Sequence, residues 1–265
     1  MYAKKSLGQH FLRSTRALNA IIEAGSVNEN DVVLEIGPGE GALTKRLLDA
    51  GASVLAVEKD DNLFQMLKSK FSKEIRIGKL ILRHEDILDF SFATPIAPQY
   101  KLIANIPYNI TGAILKKFLS AEHQPTQMVL LVQDEVAKRI VAGCLPAGRQ
   151  GKESILSLSV KAYGTPRYVE KVLAGSFAPA PKVNSAIISI EGISKEFFAN
   201  FSEEHFFKLV NLGFRSKRKK LSSNLSLIVD REKVREAFSK LDLNENTRAE
   251  DLNIEMWGKL VSLLN

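Results

Sequence analysis

The chain has 265 residues, 45% apolar and 25% charged, an ordinary balance for a globular protein with a sizeable core. No run of about 18 apolar residues occurs, which argues against a helical membrane span. The single cysteine, Cys144, rules out an internal disulfide and a cysteine-built metal cage, and it fits a reducing, cytoplasmic setting.

Four scattered histidines, His10, His84, His123 and His205, have no H-x-x-x-H spacing and argue against a zinc site. Residues 1–16 carry Lys4, Lys5, Arg13 and Arg16 without an acid. They lack the Arg/Ser richness of a transit peptide and the apolar core of a secretory signal, so no targeting segment is expected. A net charge of +7 and a pI near 9.3 suggest a polyanionic partner. Arg215, Lys217, Arg218, Lys219 and Lys220 concentrate that charge. Such a tract is either a solvated helix end or a phosphate-contacting patch.

In chain order, Val32 to Ile36 reads as a buried strand, ending in Gly37-Pro38-Gly39-Glu40-Gly41, and Ala42 to Ala50 as a helix. A strand over 53–57 is followed by a helix over 60–71. Strands over 79–83, 100–104 and 128–132 follow, the last two with helices over 112–120 and 135–142. Strands alternating with helices predict a parallel sheet covered on both faces. Two more strands are expected over 168–173 and 186–190. The stretch from Gly143 to Gly151 reads as a Gly/Pro-rich flexible loop. Beyond Glu191 the apolar spacing becomes helical: Val234, Ala237, Phe238 and Leu241 fall at i, i+3, i+4, i+7, and Met256 to Leu264 repeat the pattern. The expected division is therefore a domain over 1–190 and a helical domain over 191–265.

Glycines between a strand and a helix admit a ligand close to the backbone and expose a helix N-terminus that favours anionic groups. The G-x-G-x-G spacing differs from the G-x-G-x-x-G of dinucleotide sites. Glu58 ends the second strand, where a carboxylate can accept hydrogen bonds from ribose hydroxyls. Asp86 follows the third strand, where it can meet an adenine edge. These three features on successive strand ends predict a nucleoside pocket, open to NAD or to S-adenosylmethionine.

Asn105-Ile106-Pro107-Tyr108 separates the two. An adenine exocyclic amine is a poor nucleophile because its lone pair is delocalised into the ring. The Asn105 side-chain oxygen and the carbonyl of Ile106 or Pro107 can accept its two hydrogens. Pro107 rigidifies the turn and adds no donor, and Tyr108 can stack on the extruded base. Positioning and electrostatics then suffice, without a covalent intermediate.

With these motifs in place, the chain resembles the KsgA/RsmA family of ribosomal RNA adenine dimethyltransferases over almost its whole length. The resemblance rests on Lys5–Leu12, Val33–Gly39 with Gly41, Leu43 and Thr44, Val57-Glu58, Glu85-Asp86, Asn105–Tyr108, Phe177–Ser185, Phe214–Leu221 and Arg248–Leu252. It implies a Rossmann-like class I methyltransferase fold with a mostly parallel sheet and a small all-helical C-terminal domain. It further implies that His10, Leu12, Gly37, Glu58, Asp86 and Asn105 bind S-adenosylmethionine. Asn105, Pro107 and Tyr108 would form the reacting centre, with Phe177 stacking on the target adenine opposite Tyr108. The basic tract from Arg215 to Lys220 would contact RNA. The implied partner is small-subunit ribosomal RNA in a pre-30S particle, met by a monomer without metal. Two adjacent adenosines near the RNA's 3′ end would each receive two methyl groups. The chain departs from the family at His10, where many relatives have Asn, at Asn184, where Asp is usual, and in a longer, Gly-rich segment over 144–152. Alternatives are a resistance-type large-subunit rRNA adenine methyltransferase and a non-catalytic ribosome-assembly factor.

Overall fold

The computed structural model describes residues 9–91, 97–143 and 151–264. Lys5 to Gly8 of the N-terminal motif and most of the Gly143–Gly151 loop lie outside the described residues. In chain order the elements are β1 (Phe11–Leu12), α1 (Thr15–Ala24), β2 (Val32–Ile36), α2 (Ala42–Asp49), β3 (Ser53–Glu58), α3 (Asp61–Lys70), α4 (Ser72–Arg76) and β4 (Leu80–His84). Then come β5 (Lys101–Asn105), α5 (Thr111–Leu119), β6 (Gln127–Gln133), α6 (Asp134–Ile140), α7 (Ile155–Lys161), β7 (Thr165–Val172), β8 (Phe177–Ala178) and β9 (Ser185–Glu191). The chain ends with α8 (Glu203–Gly213), α9 (Leu221–Leu225), α10 (Arg231–Lys240) and α11 (Ile254–Leu263).

Two compact units emerge, one from Met1–Ala137 with Arg167–Ile193, the other from Lys138–Pro166 with Ser194–Asn265. Residues 138–166 thus group with the C-terminal helices, a feature that one cut near residue 190 does not contain.

The first unit is built on a seven-stranded sheet in the order β4-β3-β2-β5-β6-β9-β7. From β4 to β6 neighbouring strands are parallel, and β9 runs antiparallel to β6. Strands buried on both faces carry near-continuous apolar runs rather than alternation, as β2 and β6 show. Ile21, Val33, Leu47, Val54, Leu67, Val129 and Ile187 belong to one apolar cluster. The chain proceeds from β2 outward through β3 to β4, then returns to lay β5 on the opposite side of β2. This reversal makes a crevice at the carboxyl ends of β2 and β5, where open α/β sheets take their ligands.

Among the elements not anticipated are α1, β1, β8 and α7. α1 begins at Ser14, whose side chain caps the Ala17 amide, and buries Ala17, Leu18, Ala20 and Ile21. β1 and β8 pair antiparallel, Phe11 with Ala178 and Leu12 with Phe177. A pair of two-residue strands leaves no periodic trace in a sequence, and the two lie far apart along the chain. α7 starts at the Ser154 cap, which exchanges hydrogen bonds with Ser157.

The helical unit encloses Phe206, Leu209, Leu221, Leu225, Phe238 and Trp257, each at most 6% exposed. Gly213 lets α8 and α11 approach: a Cβ there would meet the Trp257 ring at 2.6 Å. Within this unit Lys161 and Glu153 form an ion pair, each side chain under a tenth exposed, and Lys161 also donates to the Ala142 carbonyl.

Candidate active site

A cavity of about 270 Å³ opens at the carboxyl ends of β2, β3 and β5, lined by His10, Leu12, Glu35, Gly37, Glu58, Asp86, Asn105, Pro107 and Tyr108 among others. Every cofactor-binding residue expected from the sequence lines this one space. So do three of the four residues expected at the reacting centre.

The glycine loop shapes one wall. The Gly37 amide donates to the Val57 carbonyl, tying the loop to the end of β3. Gly39, with φ +60°, brings its amide to Glu58 Oε2 at 3.1 Å, and a Cβ there would press on the Phe11 ring at 3.0 Å. Glu58 Oε1 accepts from the Asp60 amide at 2.9 Å. Two backbone donors therefore fix the carboxylate's direction. Burial raises the Glu58 carboxyl above its ordinary range, and those same amides oppose the rise.

Asp86 follows β4. Its Oδ1 accepts from the Leu88 amide and its Oδ2 from Lys59 Nζ at 2.6 Å. The Lys59 ammonium holds the Asp86 carboxyl below the usual range. At the end of β5, Asn105 Nδ2 donates to the His10 carbonyl at 3.1 Å. Asn105 Oδ1 carries no hydrogen bond among the described residues. The Pro107 carbonyl accepts from the Ile110 amide, which closes the turn, and the turns and loops of the described residues show no backbone hydrogen bond to the Ile106 carbonyl. The Tyr108 hydroxyl shares a 2.7 Å hydrogen bond with Ser185, so its ring is held from the far end. The His10 ring lies nearly parallel to the Tyr108 ring, centroids 6.0 Å apart.

Phe177, expected to stack on the target base, does not line the cavity. It is 5% exposed and belongs to the apolar cluster. Its backbone pairs with that of Leu12, and the ring described against Tyr108 is that of His10.

Glu35 is a site residue the sequence did not single out, because it sits inside an otherwise apolar strand. It lines the cavity and is 1% exposed, and its Oε2 has no hydrogen-bond partner among the described residues. Burial pushes its carboxyl up to about 8; Thr44 pulls the other way and Glu58 adds to the rise. An unpartnered buried carboxylate oxygen suits a cationic ligand group, such as the ammonium of an amino acid. Together with the carboxylate placed for a ribose and the glycine loop, this donor set fits S-adenosylmethionine.

The basic tract lies in the other unit. Arg215, Lys217, Arg218, Lys219 and Lys220 are all exposed on the turn between α8 and α9. Asn224, 2% exposed, holds that turn by donating to the Gly213 and Ser216 carbonyls. Among the described residues none of the five basic side chains is in an ion pair.

The family model described as ribosomal RNA adenine dimethylase matches residues 1–265. The chain belongs to the ribosomal RNA adenine dimethylase family. It is 42% identical over 262 residues to a ribosomal RNA small subunit methyltransferase A of Dehalococcoides mccartyi, covering 97% of this chain and 87% of the relative. A protein of the same name from Nostoc sp. is 37% identical, covering 98% and 97%. Among solved structures, a dimethyladenosine transferase from Plasmodium falciparum superposes with a TM-score of 0.79 at 25% identity, covering 95% and 96%. The 23S rRNA methyltransferase ErmE superposes at 0.75 with 27% identity, covering 96% and 99%. Family membership makes the chain a methyltransferase and accounts for the methyl-transfer fold.

Proposed function

We propose that this dimethylase transfers methyl groups from S-adenosylmethionine to the exocyclic amines of two adjacent adenosines near the 3′ end of small-subunit rRNA in a pre-30S particle. The observation that carries this reading is the convergence of Gly37, Glu58, Asp86 and Asn105 on one cavity at successive strand ends. The small subunit is favoured over the large because relatives named for it are 42% and 37% identical, against 27% for the 23S enzyme.

The bound cofactor supplies an electrophilic methyl on a sulfonium. Glu58 would take the ribose hydroxyls, Asp86 the adenine edge, Gly37 and Glu35 the amino-acid end, and His10 and Leu12 would cover it. Asn105 Oδ1 and the Ile106 carbonyl would accept the two hydrogens of the target amine. Its lone pair then turns toward the methyl group instead of into the ring. Pro107 holds those acceptors in place, and Tyr108 offers its face to the base. The basic tract would contact backbone phosphates. We read the enzyme as a cytoplasmic monomer; no helix among the described residues is long and apolar enough to cross a membrane.

The deciding experiment is methyl transfer from labelled S-adenosylmethionine to unmethylated small subunits, large subunits and naked RNA, with nucleoside analysis. Dimethyladenosine in small subunits is the expected result. Label in large subunits alone would overturn the substrate assignment, and binding without label would leave an assembly factor.

A further inference from the structure

Three contacts converge on His10. Its backbone carbonyl accepts the Asn105 side-chain nitrogen across 95 residues of sequence. Its ring Nδ1 lies 2.8 Å from the Pro179 carbonyl oxygen. A carbonyl can only accept, so Nδ1 carries the hydrogen. Its ring also lies at 22° to the Tyr108 ring. The segment His10–Arg13 forms a strap that is also pinned by the Leu12 and Phe177 pairing and by the Arg13 amide on the Ser176 carbonyl.

The Asn105 amide has two faces of opposite character. With its oxygen toward the target amine it accepts a hydrogen; rotated by half a turn it presents N–H donors to an N–H donor, and the amine is repelled. The His10 carbonyl is the one described partner that distinguishes these states, because it accepts the nitrogen and cannot accept the oxygen.

Resting on the adenine-methylating reading above, we propose that His10 is a positioning residue. Its ring, tethered to Pro179 and set against Tyr108, holds its own carbonyl where it locks the Asn105 amide in the acceptor-forward state. This role is additional to the cofactor contact of His10, since the lock acts on the reacting amine's acceptor.

The test is His10→Ala beside His10→Asn in the full-length protein. His10→Ala removes both ring contacts and keeps the carbonyl, so the strap loosens. At saturating cofactor and RNA, kcat is expected to fall about 10- to 100-fold, the scale of a misplaced catalytic group. Because His10 also lines the cofactor cavity, the Kd for S-adenosylmethionine is expected to rise in His10→Ala, which is why kcat is read at saturating cofactor; the KM for RNA should stay within about threefold of wild type. His10→Asn, whose amide can donate to the same Pro179 carbonyl, should recover most of kcat. Amide-proton NMR gives a readout independent of turnover: the Asn105 side-chain hydrogens should exchange slowly in wild type and His10→Asn, and fast in His10→Ala. Unchanged kcat in His10→Ala, a loss cured by more cofactor, or unaltered Asn105 exchange would each overturn the proposal. If the wild type methylates no adenine at all, the functional reading fails, while the exchange measurement still decides whether His10 locks Asn105.

Discussion

Two buried carboxylates stand in one cavity wall and do different things. Glu58 has both oxygens met by backbone amides, so its charge is provided for. Glu35 has an oxygen with no partner among the described residues, and burial holds its carboxyl near 8. In the unfolded chain that carboxyl titrates near 4.5, so between roughly pH 4.5 and 8 the folded ligand-free protein binds the extra proton. Its contribution to stability is therefore complete below pH 4.5 and is lost as pH rises through about 8. The Tm of the cofactor-free protein is expected to decline across that window, and Glu35→Gln should flatten the decline; parallel slopes in a thermal-shift pH series would refute the assignment. At Asn105 the prediction concerns chemistry. Asn105→Ala removes an acceptor from the reacting amine and should lower kcat by about 100-fold or more. RNA affinity, measured by filter binding, should hold within about threefold, because base extrusion and phosphate binding do not use that oxygen.

At the scale of elements, the loop between β2 and α2 sets how near a ligand comes. Gly41 has φ +77°, and a Cβ there would meet the Phe71 ring at 2.5 Å and Leu67 at 2.9 Å. Gly41→Ala combines left-handed backbone strain of roughly 1–2 kcal/mol with overpacking of about 1–3 kcal/mol. Denaturant titration should show that loss in the midpoint. Much at this scale was legible beforehand. The strands read over 53–57, 128–132 and 186–190 became Ser53–Glu58, Gln127–Gln133 and Ser185–Glu191, because buried strands announce themselves as apolar runs closed by turn residues. The helix read over 60–71 ends at Lys70, and a second helix, Ser72–Arg76, follows. The pairing of β1 with β8 stayed hidden, since two residues give no period, and with it went the true environment of Phe177.

For the molecule as a whole, charge is distributed unevenly, and the exposed turn carrying Arg215 to Lys220 is held stiff by Asn224. A fixed basic turn meets phosphates with less ordering cost than a mobile one. Replacing Lys217, Arg218, Lys219 and Lys220 by Ala should weaken RNA binding. It should also reduce the slope of log K against log salt by about 0.7–0.9 for each phosphate that is no longer neutralised. An unchanged slope in the same titration would make the tract a solvated surface.

The sequence by itself determined the α/β class, the helical C-terminal region and a set of residues that line one cavity. Each of those is a local signal: apolar period, a glycine loop, a carboxylate at a strand end, an Asn-x-Pro-Tyr turn. Tertiary structure alone decided the grouping of 138–166 with the C-terminal helices, the burial of Phe177, the unpartnered oxygen of Glu35 and the hold of His10 on Asn105. These depend on which distant residues share space, and burial and hydrogen-bond partnership are properties of that shared space, not of spacing along the chain.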